Sequence, residues 1–286
     1  MQHPVRIFFM NKYNGIKRRI KSLGWFLILC FKRGGIIRGA RNIFAPPYRN
    51  LARKIISDGI VYGAFRRYDV KGCSKQLWTA LSVDNEAVKM VAVETGFPWQ
   101  WHYYENNGTD LEASDVVMDC GACEGLYTLL ACDRVQQVIA IEPVPDFIAG
   151  LQRSFGGCTN VQIVPAALAE RDGLATMQLS GASSHISENC QSGISVKIRS
   201  IDSICAEYKI VPTYIKADLE GFERHLIAGA ANIIKQYKPK IAITGYHRQD
   251  DAKVIKGLLL AYRPDYRIIE VGVEPKWGAP MMIHAS

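Results

Sequence analysis

The sequence predicts an α/β fold, a buried and mainly parallel sheet with helices on both faces. Three observations predict it. Apolar residues make up 48% of the chain and charged ones 22%, which is ordinary globular usage. From residue 115 onward, short apolar runs alternate with stretches of helical periodicity. The runs are continuously apolar rather than alternating, as strands buried on both faces are.

The runs, in order, are VVMDC (116–120), QVIAIE (137–142), VQIVPAAL (161–168), TYIKADL (213–219), PKIAITGY (239–246), YRIIEVG (266–272) and PMMIHA (280–285), with a further strand expected at Ile194–Ile198. Helices are expected at Glu124–Cys132, Pro145–Phe155, Phe222–Tyr237 and Asp250–Tyr262. In the third, Phe222, Leu226, Ala230, Ile233, Ile234 and Tyr237 recur on one face. The Gly- and Ser-rich stretch 180–193 reads as a loop.

The front of the chain differs. Residues 1–57 hold 13 Lys or Arg and no acidic residue, leaving 22 basic side chains against all 27 acidic ones in the body. The body is thus mildly acidic behind a basic arm. Such an arm suits an anionic membrane surface or a nucleic acid, and equally a solvated leader. Its apolar run, Leu23 to Phe31, has nine residues, where spanning takes roughly 20. Basic residues bracket the run and no clear cleavage site follows, which argues against a signal peptide. A helix lying on anionic lipid would have this composition. The chain divides into a basic arm (1–57), a lead-in or cap (58–114) and a main domain (115–286). In the lead-in, Phe97, Trp99, Trp101 and Tyr103 alternate as on one face of a strand, either core or a platform for sugar rings. The eight cysteines form no paired framework, and a single CxxC at Cys120 and Cys123 falls short of a zinc set. Reduced thiols suggest a cytoplasmic protein, with the arm offering peripheral attachment at the inner membrane face.

The chemistry concentrates at Asp119-Cys120-Gly121-Ala122-Cys123-Glu124-Gly125, which leaves an apolar strand and opens a helix. Glycines allow a sharp turn and the close approach of a ligand, and the helix start offers N–H groups to an anion. The next strand ends at Glu142, placed to accept the hydroxyls of a ribose. A dinucleotide fingerprint wants G-x-G-x-x-G, and Cys123 stands where its second Gly would be. That disfavours a nicotinamide dehydrogenase and favours S-adenosylmethionine, which has a ribose and an amino-acid end but no pyrophosphate.

Residues 112 to 285 resemble the FkbM-type methyltransferases. The resemblance lies in DCGACEG (119–125), IEPVPDF (141–147), SIDSI (200–204), IKADLEGFE (215–223), AGA (228–230) and KPKIAI (238–243). Cys123 departs from the family's usual Asn. The resemblance implies a Rossmann-like class I methyltransferase fold with a seven-stranded sheet. It also implies S-adenosylmethionine as donor and a hydroxyl of a sugar, glycan or natural-product intermediate as acceptor. The cofactor set expected is Asp119, Gly121, Ala122, Glu124, Gly125, Glu142, Pro143 and Ala167. If the strand continues past Ala217, alternation aims Lys216, Asp218 and Glu220 to one side. Asp218 could orient the acceptor hydroxyl or take its proton, and Lys216 could tune a neighbour or hold an anion. His247 ends the next run and is the other candidate base, titrating near neutrality by default, or else a surface loop histidine. Glu220 and His185 are candidates for the substrate side, while Glu223 and Arg224 read as the solvated start of a helix. Paired carboxylates are compatible with a divalent metal, which the sequence does not require.

An RNA ribose is the alternative acceptor, prompted by the arm. Base methylation is disfavoured because DLEG (218–221) stands where an N/D-P-P-Y/F turn would. A non-catalytic relative that has lost its cofactor is disfavoured by the retention of Asp119 and Glu142. Oligomeric state is not legible.

Overall fold

Strand Val116–Cys120 is buried from Val117 to Cys120, and its two faces feed two separate cores. The computed structural model describes Arg38, Arg41 and residues 45–106, 108–178, 185–186, 193–274 and 278–286. The apolar run Leu23–Phe31, nearly all of the basic arm before residue 45, and most of the stretch 180–193 lie outside the described residues. Among the described residues, no helix is long and apolar enough to cross a membrane.

The chain opens with helix α1 (Tyr48–Ala52), strands β1 (Ile60–Tyr62), β2 (Phe65–Asp69) and β3 (Gln76–Ala80), and helix α2 (Asn85–Gly96). The three strands form an antiparallel sheet in the order β1-β2-β3. Asp84 caps α2, its side chain accepting from the Glu86 amide. The main domain follows with β4 (Val116–Cys120), α3 (Leu126–Cys132), β5 (Gln137–Ile141), α4 (Pro145–Phe155), β6 (Val161–Val164), β7 (Ala167–Leu168), β8 (Gly173–Gln178), β9 (His185–Ile186) and β10 (Ile194–Arg199). Then come α5 (Ile201–Tyr208), β11 (Tyr214–Ala217), α6 (Glu223–Gly229), α7 (Ala231–Tyr237), β12 (Lys240–Thr244), α8 (Asp251–Tyr262), β13 (Ile268–Val271) and β14 (Met282–Ala285).

Seven strands form the main sheet in the order β13-β14-β12-β11-β4-β5-β6. β12, β11, β4, β5 and β6 pair in parallel, and β14 runs antiparallel to both of its neighbours. This is the Rossmann-like methyltransferase architecture. One face buries Val117, Val138, Tyr214 and Met282 with Leu126, Leu129, Phe147 and Leu151, alongside Tyr68, Leu77 and Val93 of the front region. The other buries Met118, Ile139, Ile215, Ile241 and Ile283 under Ile204, Leu226, Ile234 and Ile255. Helices therefore cover both faces, and the apolar runs are uninterrupted because each strand feeds two cores.

Four local expectations change. The run 161–168 splits at Pro165, which lacks an amide for the ladder. Its second half pairs with β10 in a four-stranded sheet of order β7-β10-β8-β9. The helix expected at Phe222–Tyr237 breaks into α6 and α7 at Ala230, where the Asp202 carboxylate accepts from the amides of Asn232 and Ile233 and so starts the second helix. Within 180–193, His185–Ile186 pair with Met177 and Gln178 instead of forming only loop. Residues 97–103 form turns after α2 and no strand. There Phe97, Trp99, Trp101 and Tyr103 are the half-buried set, and the intervening Gln100, His102 and Tyr104 turn inward.

Candidate active site

Five parallel strands end on one edge, and the turns leaving β4, β5, β11 and β12 meet there. The first turn starts at Gly121, with φ +75°, and its N–H and that of Ala122 both donate to the Ile141 carbonyl at 3.0 Å. Cys123 follows at φ +48° and Gly125 at φ +88°. Protein packing by itself already requires glycine at positions 121 and 125. A Cβ on Gly121 would stand 2.2 Å from the Asp218 carbonyl oxygen, and one on Gly125 would stand 2.6 Å from Leu151. The helix start also keeps less free donor capacity than the sequence suggested, because the Cys123 amide is already taken.

It is taken by Glu142. One carboxylate oxygen accepts from the Cys123 amide at 2.9 Å and the other from the Val144 amide at 2.8 Å. Glu142 is buried, and burial pushes its carboxyl up to about 7 against the pull of those two amides. It thus links the β4 turn to the end of β5 and sits at the edge of ionisation at neutral pH. Ala122 and Glu124 are buried in the same turn, and Pro143 is half-buried beside Glu142. Ala167 lies in β7, opposite Ile198 of β10.

Asp119 and Lys216 occupy opposed positions on β4 and β11. Lys216 Nζ lies 2.9 Å from Asp119 Oδ1 and donates to the Gly121 carbonyl at 2.8 Å. Thr128 donates to the other Asp119 oxygen at 2.6 Å. The Tyr104 and Tyr127 rings lie 5.2 and 5.9 Å from the ammonium. Burial would lower the Lys216 pKa, but Asp119 and Asp218 hold it above the ordinary lysine value. Lys216 is therefore a charged strut under the glycine turn, and Asp119 is turned inward to it. The expected alignment of Lys216, Asp218 and Glu220 on one side is not found. β11 ends at Ala217, the Asp218 amide donates to the Cys120 carbonyl, and Glu220 takes φ +52° in a turn.

Beyond that turn lies a second cluster. Tyr104 donates to one oxygen of Asp218 at 3.2 Å. Burial raises the Tyr104 hydroxyl pKa well above its ordinary value, so the donor keeps its proton. His247 Nε2 stands 3.6 Å from the other Asp218 oxygen and 3.7 Å from Glu220, while its Nδ1 lies 2.7 Å from Glu223. Burial alone would push the imidazole down, but Glu223, then Asp218 and Glu220, outweigh it and push it up to about 10. His247 lies in the turn after β12 but is not a surface histidine: its side chain is buried, and its pKa is raised well away from neutrality. Asp218 sits below its ordinary value, since His247, His102 and Lys216 outweigh the effect of burial.

Glu223 is likewise not a solvated helix start. It is fully buried and accepts from the Leu219 amide at 2.8 Å, the Gly221 amide at 3.0 Å and the Thr244 hydroxyl at 3.0 Å, besides facing His247. Arg224 turns to Asp250 and Asp251. Asp218, Glu223 and His247 bring potential metal-ligand atoms within 4.8 Å of one another. Oε1 of Glu223 already faces Leu219, Thr244 and His247, whereas Oε2 accepts only from the Gly221 amide among the described residues. His185 lies on β9 opposite Gln178, in the four-stranded sheet.

The sequence reading missed His102, Tyr104 and Tyr246. Tyr104 stacks with His102 and packs edge-on against Tyr127, and Tyr246 packs on both His102 and His247. The signal was present at 97–104 as an alternation, but of the opposite parity to the one its aromatics suggest.

A family model described as the methyltransferase FkbM domain matches residues 119–268, just over half of the chain. No curated protein matches the chain. Among solved structures, the methyltransferase FkbM from Methylobacillus flagellatus KT aligns with 86% of this chain at 22% identity and a TM-score of 0.49. The chain spans 59% of that protein's length. A precorrin-6y C5,15-methyltransferase from Geobacter metallireducens GS-15 aligns over 62% of this chain and 80% of its own, at 10% identity and a TM-score of 0.38. A Streptococcus mutans protein described as a methyltransferase, in complex with SAH, aligns over 61% of this chain and 90% of its own, at 10% identity and a TM-score of 0.36.

Proposed function

The chain belongs to the FkbM methyltransferase family, and from that premise we propose that it transfers a methyl group from S-adenosylmethionine to a hydroxyl of a sugar, glycan or natural-product intermediate. The donor, when bound, supplies an electrophilic methyl on a sulfonium sulfur. The observation that carries the reading is Glu142, buried at the end of β5 and tied to the glycine turn after β4. Each of its oxygens accepts one amide and keeps a further acceptor site for a ribose hydroxyl. Gly121 to Gly125 form the wall for the amino-acid end. Asp119 supports that wall through Lys216 rather than touching the ligand itself.

On the acceptor side, Asp218 stays ionised and receives a hydrogen bond from Tyr104. An ionised carboxylate there accepts from a neighbouring hydroxyl of the acceptor and so aims the reacting oxygen for in-line displacement, where alignment supplies much of the rate. Glu220 stands beside the same cluster. His247, already protonated, favours an electron-rich acceptor oxygen by its charge.

The test is incubation of the full chain with methyl-labelled S-adenosylmethionine and a panel of glycan acceptors. The expected result is a mass gain of a single methyl on an acceptor, with label retained in it. Absence of both transfer and donor binding would remove the reading.

A further inference from the structure

His102 comes from the turns after α2, before the start of the family match at residue 119. Its side chain is 9% exposed. Nδ1 lies 3.5 Å from the Glu94 carboxylate at the end of α2. Nε2 is buried and has no hydrogen-bond partner among the described residues. A buried polar atom without a partner is costly, and a catalytic role is one reason for such an atom to persist.

The ring's surroundings say which ligand. It stacks with Tyr104, which binds Asp218, and packs on Tyr246, which packs on His247. His102 thus sits with the Asp218 and His247 cluster, the acceptor side of the site. Of the other candidates, Asp218 already accepts from Tyr104 and Thr244, and its lowered pKa makes it a weak proton acceptor. Lys216 is bound to Asp119 and Gly121, and His247 is protonated against Glu223.

Resting on the methyl-transfer reading above, we propose that Nε2 of His102, oriented by Glu94 at Nδ1, is the general base that takes the proton of the acceptor hydroxyl. A carboxylate facing one ring nitrogen fixes the tautomer that leaves the other free to accept. In the step, the acceptor O–H bond breaks and its proton goes to Nε2. The oxygen's electron pair forms the bond to the methyl carbon while that carbon's bond to sulfur breaks, sulfur keeping the pair. The imidazolium then loses its proton to water. Burial pulls His102 down, but Glu94 and then Asp218 outweigh burial and His247, so its pKa stands above the ordinary histidine value. Glu94, Asp218, His247 and the hydroxyls of Tyr104 and Tyr246 are the ionisable groups around it.

The test uses the full chain with nitrogen-labelled histidine, comparing wild type, His102→Gln and Glu94→Gln. At about pH 8 the ring signals lost in His102→Gln should report a protonated Nδ1 and a bare Nε2. Glu94→Gln should lower the pKa of those signals. With a mixture of neutral monosaccharides as the acceptor probe, His102→Gln should bind S-adenosylhomocysteine within about twofold of wild type yet transfer at least about a hundredfold slower. A proton on Nε2 at that pH, or undiminished turnover in His102→Gln, overturns the assignment. Failure of the wild-type chain to bind S-adenosylhomocysteine defeats the donor reading instead. If none of the sugars is methylated, the tautomer alone decides the base.

Discussion

Lys216 and Asp119 face each other across neighbouring parallel strands, Nζ 2.9 Å from Oδ1, and both are buried. The register that pairs β11 with β4 creates this ion pair, and the ammonium carries it on to the Gly121 carbonyl. A lysine in the middle of an apolar sheet is thereby reconciled with its surroundings.

Removing one partner should be costly. Lys216→Met leaves Asp119 buried with Thr128 as its remaining side-chain donor and should destabilise the chain by about 3–5 kcal/mol. The double change Lys216→Met with Asp119→Asn should cost less than the single one. Urea unfolding of the two variants checks the order; equal losses would mean that the charge is compensated elsewhere.

The His247 imidazolium sets a pH signature. Its folded value of about 10 lies above the ordinary 6.5, so the folded state holds the proton more tightly. Its stabilising contribution is complete below about pH 6.5 and is lost as pH rises towards 10, at up to about 1.4 kcal/mol per pH unit. The wild-type minus His247→Gln difference in unfolding free energy should shrink across that window. A constant difference would show that Glu223 does not hold the ring charged.

Glu142 should make donor binding depend on pH. With the carboxyl titrating at about 7, affinity for S-adenosylhomocysteine should rise from pH 6 to pH 8 as the acceptor becomes a carboxylate. Glu142→Gln should flatten the profile, and Glu142→Ala should weaken binding about tenfold or more, roughly 1.4 kcal/mol. Calorimetry at the two pH values checks it. The stability sign is opposite. The folded pKa is raised above 4.5, so the cost of ionising the buried group grows as pH rises from 4.5 to 7.

The basic arm is expected to meet anionic lipid. Deleting residues 1–40 should lower co-sedimentation with anionic liposomes and leave donor affinity unchanged. Equal sedimentation of both forms would point to another use for the nine cations removed, Arg6 to Arg38.

Much of the main sheet was legible because each strand there is apolar on both faces and each intervening helix has one apolar stripe. The glycine turn and Glu142 were legible because strand ends converge on one edge in this architecture. The second cluster was not. Glu223 looks like a surface residue until the turn at Gly221 folds two amides onto its carboxylate. His247 looks neutral until three carboxylates from another turn surround it. Aromatic alternation at 97–103 suggested a strand where the chain makes turns. Phe97, Trp99 and Trp101 do pack against the core, but the more deeply buried His102 and Tyr104 carried no apolar signal that set them apart. Burial in the fold, not local pattern, decided each of these.

Tyr104 reaches Asp218 from a stretch that precedes the family match. On the methyl-transfer reading the acceptor side is therefore composite: Tyr104 comes from before the matched segment, and Asp218, Glu220 and His247 come from within it. Under that reading, substitutions at residues 97–104 would alter one wall of the acceptor side while leaving the matched segment unchanged. A fragment begun at residue 119 would lack that wall, and exchanging the front segment would test whether it sets selectivity.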